Sequence, residues 1–166
     1  MLNLNRQASA RNRNAAQAHA FGDSAGRFVT FRVNGQLYAL PLDAVDRAVR
    51  MVSIAPMPSA LSGLLGIVNV EGQQVPTLDI RDLFGLPPKT ASANDRLLLV
   101  TVNGSTMAIV ADEVCTVLSL PPQIKTGLPF PEPAYVAGSV HQNGEVIFVL
   151  EPTELKAPQQ PLMLPC

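Results

Sequence analysis

Apolar and polar residues alternate through most of the chain, and short turn signals interrupt the alternation. Residues 27–33 alternate, Asn34-Gly35 follows, and residues 36–41 return with the same character. Asn-Gly between two alternating runs is the strongest short-range signal for a β-hairpin, because both turn residues then adopt positive φ. This pattern predicts three hairpins, at residues 27–41, 96–111 and 136–150, and Glu71-Gly72 is the predicted turn of a fourth.

The two halves of the chain repeat one plan. VNGQLYALPLDAVDRAV (33–49) aligns with VNGSTMAIVADEVCTVL (102–118), and GIVNVEGQQVPTLDIRDL (66–83) aligns with GSVHQNGEVIFVLEPTEL (138–155). Each half offers about five short strands and short helical turns, which suits a small barrel. Because roughly 60 to 70 residues bury little apolar surface alone, we expect the halves to pack over a shared apolar core. The predicted fold is all-β, with two five-stranded barrels.

The stretch GIVNVEGQQVPTLDIRDLFG (66–85) combines a hairpin with a helix signal. Asp79 is a predicted N-cap, Asp82 follows near the positive end of the turn, and Gly85 can end it. We interpret these carboxylates as helix caps and not as catalytic groups. Pro76 has no N–H to donate, so we expect its strand to be an edge or to be bulged there.

Composition narrows the class of protein. The apolar fraction is 47% and the charged fraction 15%, against about 25% charged in typical soluble domains. The apolar runs are too short for a spanning helix, and no signal peptide is recognised, so we expect a cytoplasmic protein without membrane insertion. The net charge is −1, and no basic stripe indicates nucleic-acid binding.

Composition also predicts the domain limits. Residues 1–26 are rich in Ala, Asn, Gln and Arg and are predicted to be a disordered tail. Residues 157–166 form a second, Pro-containing loose tail. Between them we expect one domain at 27–156, with subdomains at about 27–88 and 95–156.

Few side chains could support catalysis or bind a metal. His19 lies in the predicted tail, and His141 is expected to be a strand residue near the last hairpin turn. Neither a nucleophile elbow nor a phosphate-binding loop occurs, and the histidines and cysteines form no metal-ligand pattern. Cys115 lies in an apolar run and is predicted to be a reduced core thiol, whereas Cys166 ends the tail. We therefore expect no enzyme, cofactor or metal.

The segment GIVNVEGQQVPTLDIRDLFG resembles the signature of the CheW-like family of chemotaxis coupling proteins. The matching features are a turn, a strand with proline, a cap and a phenylalanine at fixed spacing, and the resemblance covers about residues 27–156. It extends to LYALPLDAVDRAV (37–49), VSIAPMP (52–58), ADEVCTVLSLPPQI (111–124) and YVAGSV (135–140). The structural signature residues are Gly66, Gly72, Pro76, Asp79, Arg81 and Phe84.

The resemblance implies two SH3-like five-stranded barrels and a non-catalytic adaptor. Its implied partners are the cytoplasmic tip of methyl-accepting chemoreceptors and the regulatory domain of the CheA-type histidine kinase. The protein would then be recruited from the cytoplasm to membrane-associated receptor arrays. Short barrels leave edge strands that can pair with a like barrel.

The chain departs from the family pattern at one pair of charges. The family usually has Arg where this chain has Glu71 and Glu where Arg47 aligns, so the pair is exchanged. An exchanged pair would preserve a salt bridge but change what a charged partner meets. The receptor-interface candidates are Val45, Arg47, Val49, Asn69 and Glu71. Asn69 could instead satisfy a buried backbone group, and Arg47 and Glu71 could be two unrelated surface charges.

Two alternatives stay open at this stage. The same fold could serve a non-flagellar pathway in motility, development or biofilm formation. Less favoured is a small β-barrel enzyme or ligand-binding protein that uses the groove between the halves. A deep polar pocket with a perturbed carboxylate or His141 would favour the second alternative, and a shallow apolar groove would favour the adaptor.

Overall fold

The computed structural model of the chain describes residues 26–57, 63–120 and 133–155, which are almost entirely β structure. The predicted tails at 1–26 and 157–166, except Gly26, lie outside the described residues, as do His19 and Cys166. The all-β class is confirmed. The strands are β1 (Arg27–Val33), β2 (Gln36–Pro41), β3 (Val45–Arg50), β4 (Ile54–Pro56), β5 (Leu64–Val70), β6 (Gln73–Leu78), β7 (Arg96–Val102), β8 (Ser105–Ala111), β9 (Glu113–Ser119), β10 (Val136–Gln142) and β11 (Glu145–Leu150).

The four hairpin turns have the backbone that their sequences require. Their first residues, Asn34, Glu71, Asn103 and Asn143, have φ of 52° or 53°, and the glycines that follow also have positive φ. Two consecutive residues of positive φ make the tight turn whose twist matches the twist of the flanking strands. All four predicted hairpins are therefore present.

The strands form two sheets. The first sheet has the order β10-β11-β2-β1-β9, and the second has the order β3-β7-β8-β6-β5-β4. The second sheet has six strands instead of five, because Ile54–Pro56 pairs with β5. Neither hydrogen-bonded ladder closes within the described residues, so the two predicted barrels are open sheets with free edges.

The two sheets have the same strand order under the sequence repeat. Each sheet contains strands from both halves of the chain, because the halves exchange their first hairpins. Under the sequence repeat, β1, β2 and β3 correspond to β7, β8 and β9, and β5 and β6 correspond to β10 and β11. The first sheet combines β1 and β2 with strands of the second half, and the second sheet combines β7 and β8 with strands of the first half. Parallel pairs β11–β2 and β6–β8 join the halves. The sheets therefore do not coincide with the predicted subdomains at about 27–88 and 95–156.

Apolar side chains on both faces of the central strands form three cores. In β2, Leu37 and Ala39 belong to a core of the first sheet, and Tyr38 and Leu40 belong to a core shared by both sheets. In β7, Leu97 and Leu99 face a core of the second sheet, while Leu98 faces the shared core. Two buried faces explain why β7 is a continuous apolar run and not an alternating one. The predicted shared core is present.

Two local expectations need correction. Pro76 lies in an interior strand, β6, between β5 and β8. The β6–β8 ladder pairs only Thr77 and Leu78, so Pro76 comes just before it, and the register shift lies in β5. Cys115 is exposed and is not a core thiol.

Cys115 lies on edge strand β9 of the first sheet, and the pairing of this strand with β1 is irregular. The β1–β9 register shifts between Val29 and Phe31. There the buried Thr30 hydroxyl donates to the carbonyl oxygen of Thr116 at 2.8 Å and accepts from its N–H at 3.2 Å. Bulges on edge strands are a common protection against unwanted pairing.

In the described part of the chain, no helix has the length and hydropathy of a membrane span.

Candidate partner interface

Arg47 and Glu71 form a salt bridge with two hydrogen bonds. Nη1 of Arg47 donates to Oε1 of Glu71 at 3.2 Å, and Nη2 donates to Oε2 at 2.8 Å. Both side chains are exposed. The hydrogen bond from Arg47 lowers the pKa of Glu71, and the same bond raises the pKa of Arg47. The pairing that the sequence left open is therefore present, in the exchanged order.

This contact also shows how strongly the second sheet curls. Arg47 lies on edge strand β3, and Glu71 lies in the turn between β5 and β6. Three strands separate β3 from β5 in the sheet, yet the two side chains meet. The second sheet is thus barrel-like in curvature although its hydrogen-bonded ladder is open.

The other three candidates lie near this salt bridge, Asn69 beside the turn of Glu71 and the two valines on the strand of Arg47. Asn69 accepts a hydrogen bond from the N–H of Gly72 at 2.9 Å, so it orders the turn that carries Glu71. Asn69 and Gly72 are both exposed, so the backbone group that Asn69 satisfies is not a buried one. Val45 and Val49 are half-buried residues of β3. Val45 packs against the shared core, and Val49 packs against the core of the second sheet. The structure brings Arg47, Asn69 and Glu71 together at one turn, with the valines on the strand beside them.

An open groove of about 270 Å³ lies between edge strands β3 and β9. It is lined by Ala48, Val49, Arg50, Asn94, Arg96, Asp112, Glu113 and Val114. Its volume is below the usual range for small-molecule pockets, roughly 300–1,000 Å³. The groove is charged on both walls and not predominantly apolar, which differs from the expected shallow apolar groove. Val49 belongs to both the groove and the set of interface candidates.

A network of partly buried charges adjoins the groove through Asp112, and sequence reasoning missed it. Arg81, 5% exposed, pairs with Asp112, and Asp112 also accepts from the N–H of Asn34 at 2.8 Å. Lys89 bridges Asp112 at 3.1 Å and the buried Asp95 at 2.7 Å. Burial raises the pKa of Asp112, but the bonds from Arg81, Asn34 and Lys89 outweigh burial and leave that pKa below its ordinary value. The network ties the second sheet to the β1–β2 hairpin of the first.

The signature residues have structural roles that the fold explains. Asp79 accepts from the N–H of Arg81 at 3.0 Å and so caps α1 (Ile80–Leu83), as predicted. Phe84 ends this turn and contacts the rings of Tyr38 and Tyr135, with ring centroids 5.1 and 5.3 Å away. Burial raises the pKa of Tyr38 to about 12. These residues build the shared core and the turn beside it.

The described residues form no catalytic site and no metal-binding site that we recognise. His141 is an exposed residue of β10, as expected, and is not part of the groove lining. Within the described ranges, no three His, Cys, Asp or Glu side chains cluster as metal ligands would. Asp112, the carboxylate of the groove with a shifted pKa, is held as an anion by its ion pairs. Such a carboxylate is a poor general acid or base near neutral pH.

Comparison with known proteins agrees with the fold and the sequence signature. The family model of the CheW-like domain matches residues 27–158. The chain belongs to the CheW-like family. Proteins of this family are non-catalytic scaffolds for chemotaxis, so the chain is not an enzyme. The predicted family is confirmed.

Relatives of the CheW-like chain come from distant bacteria. The chemotaxis protein CheW of Treponema pallidum is 26% identical over 143 residues, which cover 80% of this chain and 82% of that protein. The CheW of Bacillus subtilis is 21% identical over 94 residues, 57% of this chain and 60% of that one. The crystal structure of the scaffolding protein TtCheW from Thermoanaerobacter tengcongensis matches with a TM-score of 0.68 and 25% identity, covering 75% of this chain and 83% of that one.

Proposed function

We propose that this CheW-like protein couples the cytoplasmic tips of methyl-accepting chemoreceptors to the regulatory domain of a CheA-type histidine kinase. The observation that carries the proposal is the match of residues 27–158 to the CheW-like domain. In this role the protein has no cofactor and no turnover. It works in the cytoplasm and is recruited to membrane-associated receptor arrays.

The architecture suits a protein that holds two partners together. Among the described strands each sheet has two edges, β9 and β10 in the first sheet and β3 and β4 in the second, and these edges offer backbone groups to a partner. An adaptor needs separate surfaces for its two partners, and sheet edges pair readily with other β structure. We propose that exposed strands contact the kinase domain, whose fold the family resemblance takes to be the same.

We propose that the receptor surface is centred on the Arg47–Glu71 pair, with Val45, Val49 and Asn69 around it. The pair is exposed and has fixed geometry through two hydrogen bonds, and its Glu71 lies in a turn that Asn69 orders. Because its charge order is the reverse of the usual one, we propose that receptor and kinase surfaces in this pathway carry matching changes. Charge order at a rim selects partners more than it adds affinity.

A co-sedimentation experiment tests coupling and site together. Receptor-tip fragments assembled on vesicles should bring down the cognate kinase only when this protein is added. Arg47→Glu and Glu71→Arg should each weaken recruitment of the kinase about tenfold or more. Each variant places two like charges side by side and presents one charge of the wrong sign to the receptor. The double variant restores the salt bridge in the opposite order, and we expect it to fold normally but bind the cognate receptor poorly.

Arg32 and Glu145 supply a matched control. They form another exposed salt bridge with two hydrogen bonds, at 2.9 and 3.0 Å, between the β1–β2 and β10–β11 hairpins. The same reversals there should leave receptor binding within about twofold. Equal losses at both pairs would reject the proposed receptor surface. Failure of the unaltered protein to recruit the kinase would reject the coupling function.

A further inference from the structure

Strand β3 contains a bulge, and the bulge decides to which face of the sheet Arg47 points. The ladder with β7 pairs Val45 with Val100. Its next pair is Arg47 with Leu99, so Asp46 is an extra residue without a partner in the ladder. Because successive residues of a strand point to opposite faces, one extra residue transfers every later side chain to the other face.

The packing of β3 shows this change of face. Val45, before the bulge, packs against the core shared by both sheets, whereas Val49, after it, packs against the core of the second sheet. The two valines are four positions apart, and an uninterrupted strand would place them on one face. Arg47 is opposite Leu99, which belongs to the core of the second sheet, and opposed residues project to the same face. The exposed Arg47 therefore lies at the rim of that core.

Glu71 is reached from this face of the sheet. Val70, the residue before Glu71, belongs to the core of the second sheet. In a ladder without the bulge, Arg47 would be opposite Leu98, which faces the shared core instead. The salt bridge between Arg47 and Glu71, with hydrogen bonds of 3.2 and 2.8 Å, thus depends on one extra residue in β3.

A side-chain hydrogen bond holds the extra residue in place. Oδ2 of Asp46 accepts a hydrogen bond from the hydroxyl of Thr101 in β7. The hydroxyl oxygen of Thr101 lies 2.8 Å from that of Thr106, its partner in β8. Because Thr101 donates its one proton to Asp46, Thr106 is the donor in the second bond. The bulge of β3 is therefore connected to β7 directly and to β8 through Thr106.

The sequence repeat shows that the bulge belongs to the fold, whereas this way of holding it does not. Strand β9 has a bulge at the equivalent place, with Cys115 where β3 has Asp46. In β9 the hydroxyl of Thr30 bonds to the backbone of Thr116. The equivalent of Thr30 in the second sheet is Leu99, which has no hydroxyl. In β3 a hydrogen bond of the extra residue's own side chain takes that role.

We propose that Asp46 and Thr101 are positioning residues for the surface centred on the Arg47–Glu71 pair. Their hydrogen bond holds the bulge, and the bulge presents Arg47 to Glu71. The inference rests on the proposed coupling function. It deepens that function because it names residues outside the salt bridge on which the geometry of the partner surface depends.

Asp46 has a charge as well as a hydrogen-bond acceptor, and the two must be separated. The hydrogen bond to Glu71 is the main cause that raises the pKa of Arg47, and the charge of Asp46 also raises it. Asp46→Asn removes the charge and keeps an oxygen that can accept from Thr101. Asp46→Ala removes both, and Thr101→Val removes the donor without changing any charge. Asp46 is exposed, so its substitutions should leave the chain folded.

The first readout needs no partner protein, because it is the pKa of Glu71 in the full-length chain. Nuclear magnetic resonance titration of the side-chain carboxyl carbon measures it. The hydrogen bond from Arg47 lowers this pKa, so a displaced guanidinium should raise it toward the ordinary value. We expect the rise in Asp46→Ala and Thr101→Val and no rise in Asp46→Asn. Loss of a nearby negative charge alone would lower the pKa of a carboxyl group, so it would not imitate this result.

Thr116→Val is the matched control for the titration. Thr116 lies beside the equivalent bulge of β9, and its exposed hydroxyl makes only a 3.5 Å contact with the carbonyl oxygen of Val117. The substitution is the same as at Thr101, and it should leave the pKa of Glu71 unchanged.

The second readout is recruitment of the kinase by receptor-tip fragments on vesicles. Asp46→Ala and Thr101→Val should each weaken recruitment about threefold or more, because the salt bridge loses its fixed geometry. Asp46→Asn should recruit within about twofold of the unaltered protein. A raised pKa of Glu71 with undiminished recruitment would overturn the role of Asp46 and Thr101 at the partner surface.

The remaining outcomes separate the inference from the function on which it rests. An unchanged pKa of Glu71 in Thr101→Val would overturn the inference and leave the coupling function intact. Equal shifts in Asp46→Asn and Asp46→Ala would also overturn it, since charge and not the hydrogen bond would then be responsible. Failure of the unaltered protein to recruit the kinase would reject the coupling function, while the pKa of Glu71 would still decide whether Asp46 and Thr101 position Arg47.

Discussion

Gly66 shows how one residue can fix the position of a neighbouring strand. A Cβ placed on Gly66 would lie 2.1 Å from the carbonyl oxygen of Ala55 in β4, and the residue has φ of +154°. Only glycine allows the two backbones to approach so closely. Gly72, with φ of +86°, has open space around it and therefore lacks the steric part of this constraint.

The two glycines predict unequal costs of substitution. Gly72→Ala should lower the free energy of unfolding by about 1–2 kcal/mol through backbone strain alone. Gly66→Ala should lower it by more, about 3 kcal/mol or above, because β4 must also move away from β5. Urea unfolding of both variants measures the difference. Equal losses would show that the contact with Ala55 does not constrain the fold.

Asp112 gives the stability of the protein a dependence on pH. Its pKa in the folded state is below the ordinary value, so its contribution is present above the unfolded pKa and is lost as the pH falls through the folded one. Asp112→Asn should reduce the free energy of unfolding at pH 7 by about 3 kcal/mol, because it leaves the buried Arg81 guanidinium without its anion. The variant should also lose less stability than the unaltered protein below about pH 4.

Glu113 is the control for that experiment. It is the next residue in the chain, is exposed and forms no described ion pair. Glu113→Gln should therefore leave both the stability at pH 7 and the acid limb nearly unchanged. If Asp112→Asn kept the full acid dependence of the unaltered protein, the network of Arg81, Lys89 and Asp112 would not be its source.

Single residues were predictable from sequence where their role is local. Asp79 caps a turn two residues away, so its neighbours in sequence reveal it. The partner of Arg81 is 31 residues away, and no spacing rule indicates such a distance. Cys115 was misassigned because an apolar run predicts burial only when its strand has neighbours on both sides. Arg47 and Glu71 were found through the family resemblance, and the structure supplied their contact.

At the level of elements, hairpins were predictable and their partners were not. A hairpin depends on two turn residues and two short runs, all within about fifteen positions of the chain. Pairing of β11 with β2 depends on residues more than 100 positions apart, and local pattern contains no information on it. The repeat showed that two similar units exist, but not that they exchange their first hairpins. Strand β4 was missed because three paired residues give too short a pattern.

The exchanged hairpins predict that the halves need each other. In the second sheet, β7 and β8 lie between β3 and β6, and in the first sheet β1 and β2 lie between β9 and β11. Fragments 1–90 and 91–166 should each be unfolded alone, since each lacks the central strands of its sheet. Mixed together, they should form a one-to-one complex with the circular dichroism of the intact chain. An independently folded fragment would contradict the exchanged topology.

For the whole molecule, the high apolar fraction is explained mainly by packing. Three cores use both faces of the central strands, and among the described residues only Val52 and Val117 are large, apolar and more than a third exposed. A high apolar fraction could also have supplied apolar surface for partners. The described surface instead offers charged pairs, a charged groove and free strand edges, so we expect binding to depend strongly on salt.

The most direct test of the coupling function is titration calorimetry of this protein against the regulatory domain of the CheA-type kinase from the same genome. The account predicts saturable one-to-one binding in the micromolar range, about −8 kcal/mol. A variant with both reversals at Arg32 and Glu145 checks that an unrelated surface change leaves the titration curve in place. Absence of heat and of co-elution with every cognate kinase domain would contradict the central claim.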